Sequence, residues 1–151
     1  MALTRIQHWA TRSYHTFLLS RASMPFAWGT HDCALFAADG IEAMTGVDIA
    51  AAFRGKYTDE ASSLTAIRTI TGAAADAVVT VEDAAAWCAT QHGLEEWIYP
   101  LMAQRGDLAV VVDSGRVIAG LVHLNGRHIV CAGESGLHRL PITQIKRAWH
   151  V

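Results

Sequence analysis

The sequence changes character near Tyr99-Pro100, and this change limits the folds that the chain can adopt. Before His92, apolar residues mostly recur at the spacing of amphipathic or buried helices. After Leu108, short runs rich in valine and isoleucine alternate with turn sequences, which is typical of antiparallel strands. Helices followed by antiparallel strands indicate an α+β domain. We therefore predict a single domain over residues 1–151, in which N-terminal helices pack on a C-terminal antiparallel β-meander.

The positions of the elements follow from periodicity and from boundary residues. Asn125-Gly126 is typical of a hairpin turn, and Gly46 and Gly72 stand where glycine commonly ends a helix. The pattern predicts helices over residues 3–19, 33–45, 58–71 and 81–89, a helical turn at 48–53, and strands over 108–112, 117–124, 127–132, 137–140 and 147–151.

Composition and charge exclude several classes of protein. The formal net charge is -2 and there is no long basic run, which argues against nucleic-acid binding. The apolar runs are far shorter than the ~20 residues of a membrane-spanning helix, and the N-terminal residues lack the apolar middle of a signal peptide. Three cysteines without paired spacing and eight scattered histidines favour reduced thiols, no metal site and no cofactor.

Cys33 has the sequence context of a nucleophile. The predicted helix 33–45 is apolar almost all round, as buried helices are, and Asp32 or Thr30 is placed to cap it. A cysteine in the first turn of a helix lies where unpaired N–H groups and the helix dipole favour the thiolate. The aromatic residues and the glycine just before it would form a groove wall and let a substrate backbone approach. The alternative is that Cys33 is an ordinary buried residue of a buried helix.

Two segments resemble the NlpC/P60 cysteine peptidases, a papain-like family. The run Phe26-Ala27-Trp28-Gly29, followed by Asp32-Cys33-Ala34-Leu35-Phe36, is similar to the motif around their nucleophile. Arg105-Gly106-Asp107-Leu108-Ala109-Val110 is similar to the first strand of that family. The resemblance implies an NlpC/P60-like fold and a hydrolase that cleaves peptidoglycan peptides, with Cys33 as nucleophile and a histidine as base.

The chain more closely resembles a small phage and prophage tail family that is distantly related to NlpC/P60. The similar motifs are Trp28-Gly29-x-x-Asp32-Cys33, Gly46-x-Asp48, Phe53-Arg54-Gly55-x-Tyr57, Gly106-Asp107, and an ending with Gly136-Leu137, Leu140-Pro141 and Ala148-Trp149. This resemblance implies a protein made in the host cytoplasm and built into the virion. Its partners would be other tail-tip or baseplate proteins, with peptidoglycan as a further candidate.

The positions that activate the cysteine in NlpC/P60 enzymes carry apolar residues in this chain. The resemblance puts the base at Ile118 and the group that orients it at or near Val130, and neither side chain accepts a proton. His31 and His123 are the candidate substitutes, and the base stays unassigned. His123 is an odd number of residues beyond Ile118, which points it to the opposite face of a regular strand. His128 has the right parity but lies across the Asn-Gly turn.

The loop 53–57 has two interpretations. Arg54 and Tyr57 are residue types that are enriched in protein interfaces, so the loop could contact a partner. In the structural interpretation, Arg54 pairs with Asp48 or Asp59 and Tyr57 packs on the core.

The sequence therefore leaves more than one function open. The leading hypothesis is a structural component of a phage or prophage tail tip or baseplate, with a degenerate NlpC/P60-like fold, that acts through protein contacts. The rival is a cysteine hydrolase that cuts peptidoglycan peptides, with Cys33 as nucleophile and a noncanonical histidine as base. A bacterial toxin or immunity-type domain is a third hypothesis.

Overall fold

The computed structural model describes residues 3–151 and confirms the α+β architecture, with helices first and an antiparallel sheet after them. The elements are a π-helical segment Trp9–Tyr14, the helices α1 His15–Arg21, α2 Cys33–Thr45, α3 Glu60–Thr71 and α4 Val81–Gln91, and the strands β1 Leu108–Asp113, β2 Arg116–Val122, β3 His128–Gly133, β4 Gly136–Pro141 and β5 Ile145–Trp149. Short 3₁₀ turns lie at Pro100–Met102 and Ile142–Gln144. Within the described residues, no helix is long and apolar enough to cross a membrane.

Helices α2, α3 and α4 begin close to the predicted residues because their caps are encoded locally. The Asp32 carboxylate accepts a hydrogen bond from the backbone N–H of Leu35 at 2.9 Å, so Asp32 rather than Thr30 caps α2. Gly46 ends α2 in the left-handed conformation, with φ of 78°. A capping box at Asp59 begins α3 in the same local way.

The predicted helix over residues 3–19 is wrong in its first part. Helical structure begins only at Trp9, and His8 before it has a left-handed φ of 61°. The backbone N–H of Ile6 instead donates to the carbonyl of Met44 at 2.8 Å. A long-range contact has overridden the local helical pattern there, as tertiary contacts commonly do.

The five strands form one antiparallel sheet in the order β4-β3-β2-β1-β5. Strands β1 to β4 form the predicted meander, and β5 crosses to pair with β1. The tight turn lies at Ser114-Gly115, where φ values of 49° and 78° suit a type I′ hairpin. Asn125-Gly126 belongs to a longer loop, in which the Asn125 side-chain oxygen accepts the N–H groups of Arg127 at 2.8 Å and of His128 at 3.2 Å.

The sheet is curled, because a short connection joins its two edge strands. Strand β4 ends at Pro141 and β5 begins at Ile145, so the chain between them reaches at most about 14 Å. In a flat sheet of five strands the edges would lie about 19 Å apart, at about 4.8 Å per spacing. The curl encloses a second apolar cluster centred on Val111, Val122 and Ile129, on the face away from the main core.

Asp107 ties distant parts of the chain together at the entry to β1. Its side chain is completely buried. One carboxylate oxygen accepts hydrogen bonds from the Arg5 guanidinium at 2.8 Å and from the Val151 backbone N–H at 3.0 Å. The other accepts from the Trp97 indole N–H and from the Gln104 backbone N–H, both at 2.8 Å. Asp107 therefore fixes the turn into the strand, as predicted, and also anchors both ends of the described chain.

Candidate functional site

Cys33 is the first residue of α2 and lines a cavity of about 790 Å³ between the helices and the sheet. This volume is within the usual range of ligand pockets, about 300–1,000 Å³. The apolar lining includes Ala34, Leu35, Ala37, Ala38, Ile67, Ala84, Ala85, Leu108 and Ala119, and the polar lining includes Glu60, Ser63, Asp113, Ser114, Arg116 and Glu134. The fold thus gives Cys33 a space in which a ligand could lie.

The Cys33 thiol is protonated at neutral pH. Burial raises its pKa to about 11. Hydrogen bonds from the backbone N–H of Ala119, and from the N–H groups of Ala34 and Cys33 at the helix start, lower that pKa, while the negative charge of Asp32 raises it. The ordinary thiol pKa is about 8.5. The helix N-terminus thus favours the thiolate, as predicted, but burial outweighs this effect and keeps the thiol protonated.

His31 does not line the cavity, although it is only two residues from Cys33 in sequence. Its ring is buried edge-on to Phe36, with 5.9 Å between the ring centroids. Its Nδ1 atom lies 3.3 Å from the guanidinium of Arg21. Burial and then the Arg21 charge lower the pKa of His31. His31 is therefore a neutral ring in the core.

His123 and His128 lie beyond reach of the thiol. His123 follows β2 and lines a separate pocket of about 370 Å³ beside α1. Ala119, the β2 residue whose N–H reaches the Cys33 sulfur, precedes it by four residues, or about 13 Å of strand. His128 is bonded to the Asn125 side chain at 2.9 Å. Among residues 3–151, no histidine lines the Cys33 cavity, and no cluster of three or more His, Cys, Asp or Glu side chains could hold a metal ion.

The two positions that the resemblance assigns to the base and its orienting group bring no proton acceptor to Cys33. Ile118 borders the cavity, but it packs with the second apolar cluster on the opposite face of the sheet. Val130 lies in the main core and lines the smaller pocket beside α1. In β2 the next residue, Ala119, lines the cavity from the other face of the strand. In β3 the cavity is lined by Ala132, two residues beyond Val130. These alanines accept no proton either.

Asp32 is fully occupied by structural hydrogen bonds. Besides capping α2, it accepts from the backbone N–H of Gly29 at 3.0 Å and from the Tyr57 hydroxyl at 2.6 Å. Burial and then the Asp32 carboxylate raise the pKa of Tyr57. Gly29 has a φ of 80°, and a Cβ there would lie 2.5 Å from the Tyr57 carbonyl oxygen. This glycine lets the chain pack closely against Tyr57.

Arg54, in the loop 53–57, binds two carboxylates. Its guanidinium lies 2.7 Å from Asp48 and 2.6 Å from Asp39, and Asp39 also binds Arg21 at 2.9 Å. The hydrogen bond to Asp48 is the main cause that raises the pKa of Arg54. The structural interpretation of the 53–57 loop is therefore confirmed, with Arg54 paired to Asp48 and Tyr57 buried.

One exposed apolar segment was not predicted from the sequence. The segment Ile98–Met102, called the 98–102 segment below, exposes 87% of Ile98, 73% of Tyr99 and 61% each of Leu101 and Met102. The sequence does carry a sign of it, since four large apolar residues flank a proline between a helix and a strand. The Ala119 N–H lowers the pKa of Cys33. The sequence gives no sign of this effect, because the N–H group belongs to the backbone.

Residues 4–151 match the model of a family described as a domain of unknown function (DUF6950). The match covers nearly the whole chain, so the chain belongs to this family. No curated protein and no solved structure matches it.

Proposed function

We propose that this protein is a structural component of a phage or prophage tail tip or baseplate, and that it acts through contacts with other tail proteins. In this proposal the fold is a degenerate NlpC/P60-like one, and the mature location is the virion. The observation that carries it is the 98–102 segment, in which four large apolar side chains within five residues are exposed to a partner.

The 98–102 segment is held in place by the fold. The backbone N–H of Trp97 donates to the carbonyl of Ala148 in β5 at 2.8 Å, and the Trp97 indole N–H donates to buried Asp107. The N–H of Met102 closes the 3₁₀ turn on the carbonyl of Tyr99 at 2.8 Å. A partner that binds this surface would meet side chains on an ordered backbone, which reduces the entropy lost on binding.

The motifs shared with the tail family support the same proposal. Asp32 caps α2 and binds Tyr57, Arg54 joins two carboxylates, and Asp107 anchors both ends of the described chain. These contacts stabilise the scaffold, and none of them activates Cys33. A nucleophilic cysteine needs a nearby base and a lowered pKa, whereas the Cys33 pKa is raised.

Substitutions in a phage or prophage that encodes this chain test the proposal. The double variant Ile98→Lys/Leu101→Lys puts two charges on the apolar surface, and we expect loss of assembled tails by electron microscopy and loss of infectivity. Val78→Lys is the matched control, because Val78 is 93% exposed but lies outside this segment. Cys33→Ser should leave assembly and infectivity intact. Normal tails from a folded double variant would contradict the proposal.

The cavity beside Cys33 is the observation that favours the rival function, cleavage of peptidoglycan peptides. A ligand-sized space next to a helix N-terminal cysteine is what such an enzyme would need. Incubation of purified protein with peptidoglycan peptides, followed by mass spectrometry, distinguishes the two. Cleavage that disappears in Cys33→Ala would support the hydrolase, and no cleavage by the wild-type protein would support the structural role.

A further inference from the structure

The pocket of about 370 Å³ beside α1 is separate from the Cys33 cavity and from the 98–102 segment. It lies where α1, the β2–β3 loop and β4 meet. Its lining residues are His15, Leu18, Leu19, Ala22, His123, Leu124, Val130, Leu137 and Arg139. The proposed function uses none of these side chains, and His123 and Val130, which the hydrolase hypothesis considered, do not line the Cys33 cavity.

The polar side chains of this pocket are basic. Arg139 carries a guanidinium, which only donates hydrogen bonds. The Nδ1 atom of His123 accepts a hydrogen bond from the backbone N–H of Asn125 at 3.1 Å. In the neutral ring this fixes the proton on Nε2, so the free nitrogen of His123 is also a donor. His15 adds a third basic group from α1.

The positive charge in this pocket is not compensated by a carboxylate. Asp and Glu are absent from its lining, and Arg139 forms no ion pair within residues 3–151. Burial, followed by the charges of Arg139 and His128, lowers the pKa of His123. His123 is therefore neutral at about pH 7, and the positive charge of the pocket comes from Arg139.

The rest of the wall is aliphatic. Leu18 and Val130 are buried, Leu124 and Leu137 are half-buried, and Leu19 extends into solvent at one side. A volume of about 370 Å³ is at the small end of ligand pockets. We propose that this pocket binds a carboxylate carried on an aliphatic chain, with Arg139 and the Nε2–H of His123 on the carboxylate and the leucines around the chain.

Titration of the ¹⁵N-labelled protein with octanoate, followed by NMR, tests this proposal. Octanamide has the same length and shape without the charge, and we expect it to bind about tenfold or more weakly, because hydrogen bonds to charged groups are the strong ones. Shifts should map to the amides of Leu19, His123 and Arg139. N-acetyl-dileucine and its C-terminal amide form a second pair that separates a peptide C-terminus from a free fatty acid as the source of the carboxylate.

Arg139→Gln is the informative variant, since Arg139 is exposed and its loss should leave the fold intact. It should weaken octanoate about tenfold or more and leave octanamide unchanged. Arg127→Gln is the matched control, because Arg127 is exposed on the neighbouring loop but does not line the pocket. Equal binding of acid and amide, no shift with any of the four ligands, or an equal effect of the two arginine variants would overturn the proposal.

Discussion

Alkylation of Cys33 by iodoacetamide provides a quantitative test of its raised pKa. With a pKa of about 11, about 0.03% of Cys33 is thiolate at a pH of about 7.5. An unperturbed thiol, with a pKa of about 8.5, is about 10% thiolate at the same pH. The reactive fraction of Cys33 is therefore lower by about 300-fold.

A more basic thiolate is also a better nucleophile, and this offsets part of the difference. With a Brønsted slope of about 0.4, a rise of about 2.5 pKa units increases the intrinsic reactivity about tenfold. We therefore expect native Cys33 to react about 30-fold more slowly than an unperturbed thiol at neutral pH. The rate should rise about tenfold per pH unit between about pH 7 and 10, since the thiolate form appears only as the pH approaches the pKa.

Mass spectrometry of the peptide that contains Cys33 gives the rate at each pH. The reference is the same peptide in protein unfolded by guanidinium chloride, and Cys88 is an internal control whose pKa burial raises to about 12. A native Cys33 that reacts faster than the unfolded reference, or at a rate independent of pH above neutrality, would refute the raised pKa of Cys33. Such a result would favour the hydrolase hypothesis.

Two further predictions concern stability, measured by chemical denaturation. Gly29→Ala should lower the free energy of unfolding by about 1–3 kcal/mol more than Gly46→Ala. Both glycines have positive φ, but only a Cβ at Gly29 meets another backbone atom, at 2.5 Å, and equal losses would contradict this account. Asp107→Asn should cost about 3–5 kcal/mol, because the half-buried Arg5 guanidinium and three N–H groups lose a charged acceptor. A loss as small as that of Asp113→Asn would show that the network contributes little.

The sequence predicts best those features that are encoded within a few residues. Asp32, Asp59 and the glycines after α2 and α3 define helix ends through local hydrogen bonds and backbone conformation, and the structure has these ends within two residues of their predicted positions. The turn sequences likewise locate the hairpins, although Asn125-Gly126 and Ser114-Gly115 differ in type from their sequence appearance. Such features need no knowledge of the rest of the chain.

Features that depend on distant residues are predicted less well. The segment around Ile6 is not helical, because its backbone bonds to Met44. The resemblance to NlpC/P60 puts the base position at Ile118, but the face on which a strand residue lies changes with every residue, and Ile118 packs with the second apolar cluster. The pKa of Cys33 is raised by burial under other elements, which the helix position alone does not reveal.

The Asp107 network joins the two ends of the described chain, and we expect it to form late in folding. Arg5 and Val151 are 146 residues apart, yet the guanidinium of one donates to the carbonyl of the other at 2.8 Å beside the Asp107 carboxylate. Closing so long a loop costs entropy before the contact stabilises anything, so we expect this cluster to form after the folding transition state. Arg5→Lys should then accelerate unfolding and leave the refolding rate nearly unchanged in stopped-flow experiments. During synthesis on the ribosome, the Asp107 carboxylate would lack the Val151 N–H as a hydrogen-bond donor until Val151 has emerged.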